Sequence, residues 1–222
     1  MRRKQPNPWL SIPAIDYEGH MGDPKVLQLQ FLSRIFGELI DEFEPESLVV
    51  LGCATGNGFE RIRPERIRRL IGVDINREYL DVCRKRHAAR IPVMELVCGD
   101  AASFEPEPAS IDFIHAALIL EYVDPETIIE KASQWLKSRG ILAVVLQLPA
   151  REGGNVSETG FESLKRLEPV IRLVDPLLLS GLCRRHGFKE ERSGSSKLDS
   201  GKEFYIGVYR LEAPRAEADS VQ

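Results

Sequence analysis

The sequence predicts an α/β fold, a mostly parallel sheet covered on both faces by helices. Three observations carry this reading. Short apolar runs without polar alternation, such as SLVVLG and ILAVVLQL, read as strands buried on both faces. Segments of helical period separate those runs, the order expected of strand–helix–strand units. Glycines gather where one run ends, with Gly52, Gly56 and Gly58 all inside VVLGCATGNGF, and glycine is costly in ordered backbone unless a close approach or a dihedral demands it.

In chain order, residues 1–46 are expected to form an arm and a cap helix. The basic start MRRKQPNPW has no apolar core behind it and does not read as a signal peptide. Asp23-Pro24 offers a capping carboxylate followed by a residue with no amide to satisfy. The period Val26, Leu29, Leu32, Ile35, Phe36, Leu39, Ile40, Phe43 then predicts a helix that Pro45 ends. SLVVLG is the first strand, followed by the glycine turn and a short helix broken near Pro64. RLIGVD is a second strand and NREYLDVCRKRHAAR a helix, with VMELVCGD and IDFIHAALI as further strands. PETIIEKASQWLK, opened by Asp124-Pro125 and stopped by Gly140, is a helix, and ILAVVLQL a fifth strand. After the polar stretch REGGNVSETG, Asp175-Pro176 opens a helix over PLLLSGLCRRHG. Strands around KEERS and EFYIGVYRL lie close enough to pair as an antiparallel hairpin. The polar, alanine-rich tail over 212–222 reads as disordered.

The 222 residues suit one domain with a full core, and a net charge of −4 provides no global field for nucleic acid or acidic membranes. No apolar run is long enough to span a bilayer. Cys53, Cys83, Cys98 and Cys183 lack paired or metal-ligand spacing. Cys53 and Cys98 fall in apolar, strand-like contexts that suggest buried reduced thiols, so no metal and a cytoplasmic location are expected.

In doubly wound sheets, ligands bind beyond the carboxyl ends of the strands. Asp74 ends the second strand 22 residues after Gly52 (74 − 52), where a carboxylate can accept from both hydroxyls of a ribose. Asp100 ends the third, placed to accept from the amino group of an adenine. The plainer readings are that Asp74 caps the helix at Asn76 and Asp100 closes a turn. From Gly52 the turn reads GCATGN, a poor match to the dinucleotide pattern GxGxxG, and no GK[ST] follows to make a phosphate-binding loop.

With these pieces in place the chain resembles the class I S-adenosylmethionine-dependent methyltransferases over roughly Ser47 to Leu211. VVLGCATGNG resembles that family's glycine motif, IGVDIN its ribose-binding acid and CGDAASF its adenine-contact acid. IDFIHAALILEYVD and WLKSRGILAVV are similar to its fourth strand and its passage into the fifth, and the terminal hairpin resembles its reversed seventh strand. The resemblance implies a Rossmann-like, seven-stranded sheet with an antiparallel last strand. It implies cofactor contacts at Gly52, Cys53, Ala54, Thr55, Gly56, Asp74, Ile75, Asp100, Ala101 and His115, with Tyr17 and Met21 supplied by the arm. Two positions depart from the pattern. Val50 stands where an acid is common, and Ala54 replaces the middle glycine, a mild change if its φ is negative.

The implied reaction is displacement at an activated methyl, for which the protein mainly supplies alignment, so no catalytic signature is required. His115 is a candidate facing the methyl, with a packed histidine as the alternative. Tyr17 and His20, in DYEGHM just before the first helix, are further catalytic candidates and, with Glu18 and Met21, candidates for a lid over the cofactor, with an ordinary N-terminal arm as the alternative. Glu121 and Tyr122 follow the fourth strand and read equally well as surface residues. No (N/D)PP(Y/F) or Pro-Cys motif marks a nucleic-acid methylase. The run RIRPERIRR reads as a solvated basic face, so the expected acceptor is a small molecule, covered by residues 150–174. A nicotinamide-dependent oxidoreductase, and a non-catalytic protein that binds the same cofactor, remain the competing readings.

Overall fold

A computed structural model describes residues 7–150 and 154–213. Seven strands form one sheet, β1 (Ser47–Leu51), β2 (Arg69–Asp74), β3 (Met94–Cys98), β4 (Ile111–Ala117), β5 (Leu136–Gln147), β6 (Phe188–Lys197) and β7 (Glu203–Leu211). Their order is β3-β2-β1-β4-β5-β7-β6. The first five are parallel and β7 runs antiparallel between β5 and β6. This is the reversed last strand expected from the hairpin. The sheet order reverses between β1 and β4, which opens a crevice at their carboxyl ends.

Five α-helices accompany the sheet, α1 (Ala14–Gly22), α2 (Gln28–Phe43), α3 (Arg77–His87), α4 (Pro125–Trp135) and α5 (Pro176–Arg185). On one face, Phe31, Leu32, Ile35, Phe36, Leu39 and Ile40 of α2 pack with Leu80 and Cys83 of α3 against Leu48, Val50 and Phe113. On the other, Ile128, Ile129 and Ala132 of α4 and Leu179 and Leu182 of α5 cover Val49, Ile114, Leu142 and Val144. Two of the three Asp-Pro pairs cap as expected. Asp124 accepts from Thr127 N and Asp175 from Leu177 N.

Asp23-Pro24 does something else. Asp23 closes the C-terminus of α1, its N–H donating to His20 O, and its side chain accepts from Lys25 N in the turn before α2. The arm is therefore helical over DYEGHM, and α2 starts only at Gln28. β5 likewise starts at Leu136, directly after α4, so Gly140 lies inside the strand rather than before it. Cys98 is exposed, against the buried expectation, whereas Cys53, Cys83 and Cys183 are buried and all four thiols are free. The basic start through residue 6 and the tail from residue 214 lie outside the described residues.

Candidate functional site

One cavity of about 160 Å³ sits over the carboxyl ends of the strands. Gly52 after β1, Asp74 of β2, Asp100 after β3, Ala117 and Leu118 at the end of β4, and Gln147 of β5 all line it. Five strand ends thus converge on one space, the location that the strand order dictates.

At one end the glycine turn meets Asp74. Gly52 has φ +66°, and a Cβ there would lie 3.2 Å from Ile119 Cδ1. Gly56 and Gly58 serve packing instead, because a Cβ would come within 2.7 Å of Cys83 Sγ at the first and 2.8 Å of Phe36 Cδ1 at the second. Ala54 has φ +46°, so the condition for a mild replacement is not met. With Leu118 (φ +54°) it places two left-handed non-glycine residues in the cavity wall, where local strain tends to gather at functional sites.

Asp74 accepts from Ala54 N at 2.9 Å and Asn76 N at 2.8 Å, and burial raises its pKa. It therefore ties the turn to the start of α3, while Asn76 itself caps that helix by accepting from Glu78 N. Four lone-pair sites on a carboxylate leave room for a ligand beyond these two bonds. Asp100 is exposed and caps a 3-10 turn through Ala102 N, the plainer of its two readings, while also lining the cavity.

Tyr17 stacks on Tyr79 with ring centroids 5.1 Å apart and packs edge-on against Trp9, all three in the cavity wall. The arm carrying Tyr17 is fastened to α3 and its cap. Asn76 Nδ2 donates to Trp9 O, Ala14 N donates to Glu78 Oε1, and Arg86 pairs with Glu18, which also accepts from Thr55 Oγ1. The Tyr79 hydroxyl is buried without a partner.

Of the residues expected at the cofactor, Gly52, Ala54, Asp74, Ile75, Asp100, Ala101, Tyr17 and Met21 line the cavity, as does His20. Cys53, Thr55 and Gly56 belong to the turn's outer side, packed toward α2, α1 and α3. His115 is misplaced in the sequence reading. It lies on the same face of β4 as Ala117 but two residues short of the strand end, beneath α2 with Phe113, edge-on to Phe36 at 5.1 Å and outside the cavity. It is 4% exposed, its Nδ1 has no partner, and burial lowers its pKa to about 4.

The other end of the cavity holds a polar group of which the sequence offered only Glu121 and Tyr122, and those equally as surface residues. Glu121 is 2% exposed, its Oε1 accepts from Gln147 N at 2.8 Å, its Oε2 has no partner, and burial lifts its pKa to about 7. The Gln147 side chain donates to Asn155 O at 2.7 Å and accepts from Lys202 Nζ at 3.3 Å. Burial lowers the Lys202 pKa to about 8 and that of His20 to about 4. The only hint in the sequence was one acid inside the apolar run ALILEYV.

Residues 154–174 cover this end, contributing Asn155, Val156, Leu164, Leu167 and Ile171 to the wall. They are latched to α1 by His20 Nδ1 with Thr159 Oγ1 at 2.8 Å and by Ser163 Oγ donating to Asp16 at 2.6 Å. Phe161 also lies directly over Gly19.

The arginine run is fully engaged with acids. Arg61, Arg63, Arg66, Arg68 and Arg69 pair with Glu60, Asp41, Glu44, Glu46 and Glu95. Among the described residues no helix is long and apolar enough to cross a membrane, and no three His, Cys, Asp or Glu side chains are grouped to hold a metal.

Residues 49–144 match the family described as "Methyltransferase domain". Solved structures give the fold independently. The N-methyltransferase NodS from Bradyrhizobium japonicum WM9, in complex with S-adenosyl-l-homocysteine, superposes with a TM-score of 0.66 at 15% identity, covering 90% of this chain and 98% of that one. The [4+2]-cyclase SpnF superposes with a TM-score of 0.65 at 16% identity, covering 82% of each chain. A putative sarcosine dimethylglycine methyltransferase from Galdieria sulphuraria gives 0.64 at 13% identity, covering 82% of this chain and 86% of that one. No relative was found among curated protein sequences.

Proposed function

We propose that this chain is a class I S-adenosylmethionine-dependent methyltransferase that methylates a small molecule held beneath the 154–174 cover. The observation that carries the acceptor class is the cavity itself. It runs from Asp74 beside the aromatic arm to Glu121 beside the cover, and the arm and the cover are hydrogen-bonded to each other, which suits a small ligand better than a polymer. The paired arginines add to this, since they present no free basic stripe for a phosphate backbone.

In this reading Asp74 holds the ribose, Asp100 and Ala101 the adenine, and the backbone at Gly52 and Leu118 the amino-acid end. Tyr17 and Trp9 close over the top. The bound cofactor supplies a methyl group already activated on a sulfonium sulfur. The chain orients that methyl toward the Glu121 end and keeps water out with Leu32, Met21 and Leu118, so its contribution is proximity and exclusion. The free thiols suit a reducing compartment, in our reading the cytoplasm.

The first experiment is calorimetric titration with S-adenosylmethionine and S-adenosylhomocysteine, with Asp74→Ala as control. Removing charge-assisted bonds to the ribose hydroxyls should cost about 1.5–3 kcal/mol, roughly ten- to a hundredfold in affinity. Equal binding by wild type and variant would remove Asp74 from the site. Because a [4+2]-cyclase shares the fold, binding is followed by a turnover measurement, S-adenosylhomocysteine release with a panel of small acceptors. Tight binding with no turnover across that panel would favour the non-catalytic reading.

A further inference from the structure

We propose that Glu121 is the residue that recognises the acceptor and receives its proton, and that the acceptor is an apolar primary or secondary amine. This rests on the methyltransferase reading above and deepens it.

The argument begins with an unmatched charge. Glu121 Oε2 is buried in the cavity wall without a partner, while Oε1 is held by Gln147 N. A buried carboxylate is costly unless paired and hydrogen-bonded, and none of the described residues forms an ion pair with it. Lys202, in the turn just before β7, directs Nζ to Gln147 Oε1 and to Asn155 O at 3.1 Å. His20 of α1 is engaged with Thr159, Tyr122 carries a neutral phenol, and the cover contributes only the Arg172 backbone N–H, to Glu121 O. None of these forms an ion pair with Glu121. A ligand bearing N–H⁺ would complete the site, and the surrounding Leu32, Leu118, Val156, Leu164, Leu167 and Ile171 call for an apolar body.

Proton affinity separates amines from alcohols. Burial lifts the Glu121 carboxyl to about 7. An alkylammonium like that of lysine ionises near ~10.4, about three pH units higher, whereas an alcohol comparable to water lies near ~15.7, about nine higher. A carboxylate at Glu121 is matched to the first transfer and not to the second. The N–H⁺ proton passes to Oε2 and frees the nitrogen lone pair. That pair forms the N–C bond to the methyl as the C–S bond breaks onto sulfur, leaving an N-methylammonium and a neutral thioether. Oε2 keeps the proton until the cover opens to solvent.

The test needs no natural acceptor. Benzylamine and benzyl alcohol, matched in shape, are titrated into wild type and Glu121→Gln, with and without saturating S-adenosylhomocysteine, at about pH 8. Glutamine keeps the shape and the acceptor for Gln147 N. Wild type should prefer the amine by at least about tenfold, and the variant should reduce that ratio to within about twofold at unchanged S-adenosylhomocysteine affinity. Three outcomes overturn the proposal: no preference or no millimolar amine binding in wild type, a preference that survives in Glu121→Gln, or a tenfold loss of S-adenosylhomocysteine affinity in that variant, which would make Glu121 a cofactor partner. Failure of wild type to bind S-adenosylhomocysteine would instead refute the methyltransferase site, while the amine-to-alcohol ratio still reports on Glu121.

Discussion

Replacing Glu121 by glutamine should change how stability depends on pH in a calculable way. In the folded protein the carboxyl titrates at about 7 because it is buried, against an ordinary 4.5. A raised carboxyl pKa means that the folded state holds its proton after the unfolded chain has lost it. Stability therefore falls as pH rises from about 4.5 through 7. At about 1.4 kcal/mol per pH unit the whole effect is roughly 3 kcal/mol, of which about 2.5 kcal/mol falls between about pH 5 and pH 8. Glutamine does not titrate, so the variant lacks this slope. Any fixed cost of its extra N–H₂ is the same at every pH and cancels in the comparison. His20 and His115, whose pKa values burial lowers, lose stability as pH falls, but they do so in both proteins. Urea unfolding of both at several pH values is the assay. The stability difference, variant minus wild type, should grow by about 2–3 kcal/mol from about pH 5 to pH 8. Parallel pH profiles would show that Glu121 ionises normally, and its burial in a dry site would have to be abandoned.

Other consequences are open to simpler checks. Tyr17→Ala should weaken S-adenosylhomocysteine binding severalfold by calorimetry, and Tyr17→Phe should not, since the ring stacks on Tyr79 and its hydroxyl bonds to none of the described residues. Gly19→Ala places a Cβ 2.2 Å from Phe161 Cζ. It should push that ring outward, cost about 1 kcal/mol or 2–4 °C in Tm, and speed proteolysis within 154–174. Arg63→Ala should leave stability within about 0.5 kcal/mol, because its pair with Asp41 is half-exposed at both ends.

What the sequence revealed follows from how local each signal is. The strands were readable because burial on both faces writes an unbroken apolar run, and Asp124 and Asp175 because an N-cap acts within three residues. Asp23-Pro24 has the same letters but closes a helix, and only the helical DYEGHM before it distinguishes the two. His115 was misread by two residues along the strand, because Ala117 on the same face reaches the cavity and His115 stops beneath α2. The convergence of Gly52, Asp74 and Asp100 on one cavity was legible because they follow strand ends at fixed spacing. Glu121, Gln147 and Lys202 come from three distant segments and meet only when β5 and β7 pair. No window along the chain contains that meeting.

The two roofs, the arm over Asp74 and the cover over Glu121, are pinned to each other through His20–Thr159, Asp16–Ser163 and the Phe161–Gly19 contact. Neither can lift without breaking its bonds to the other, so movements of the two should be coupled. Amide exchange across 14–22 and 154–170 would rise in step rather than segment by segment.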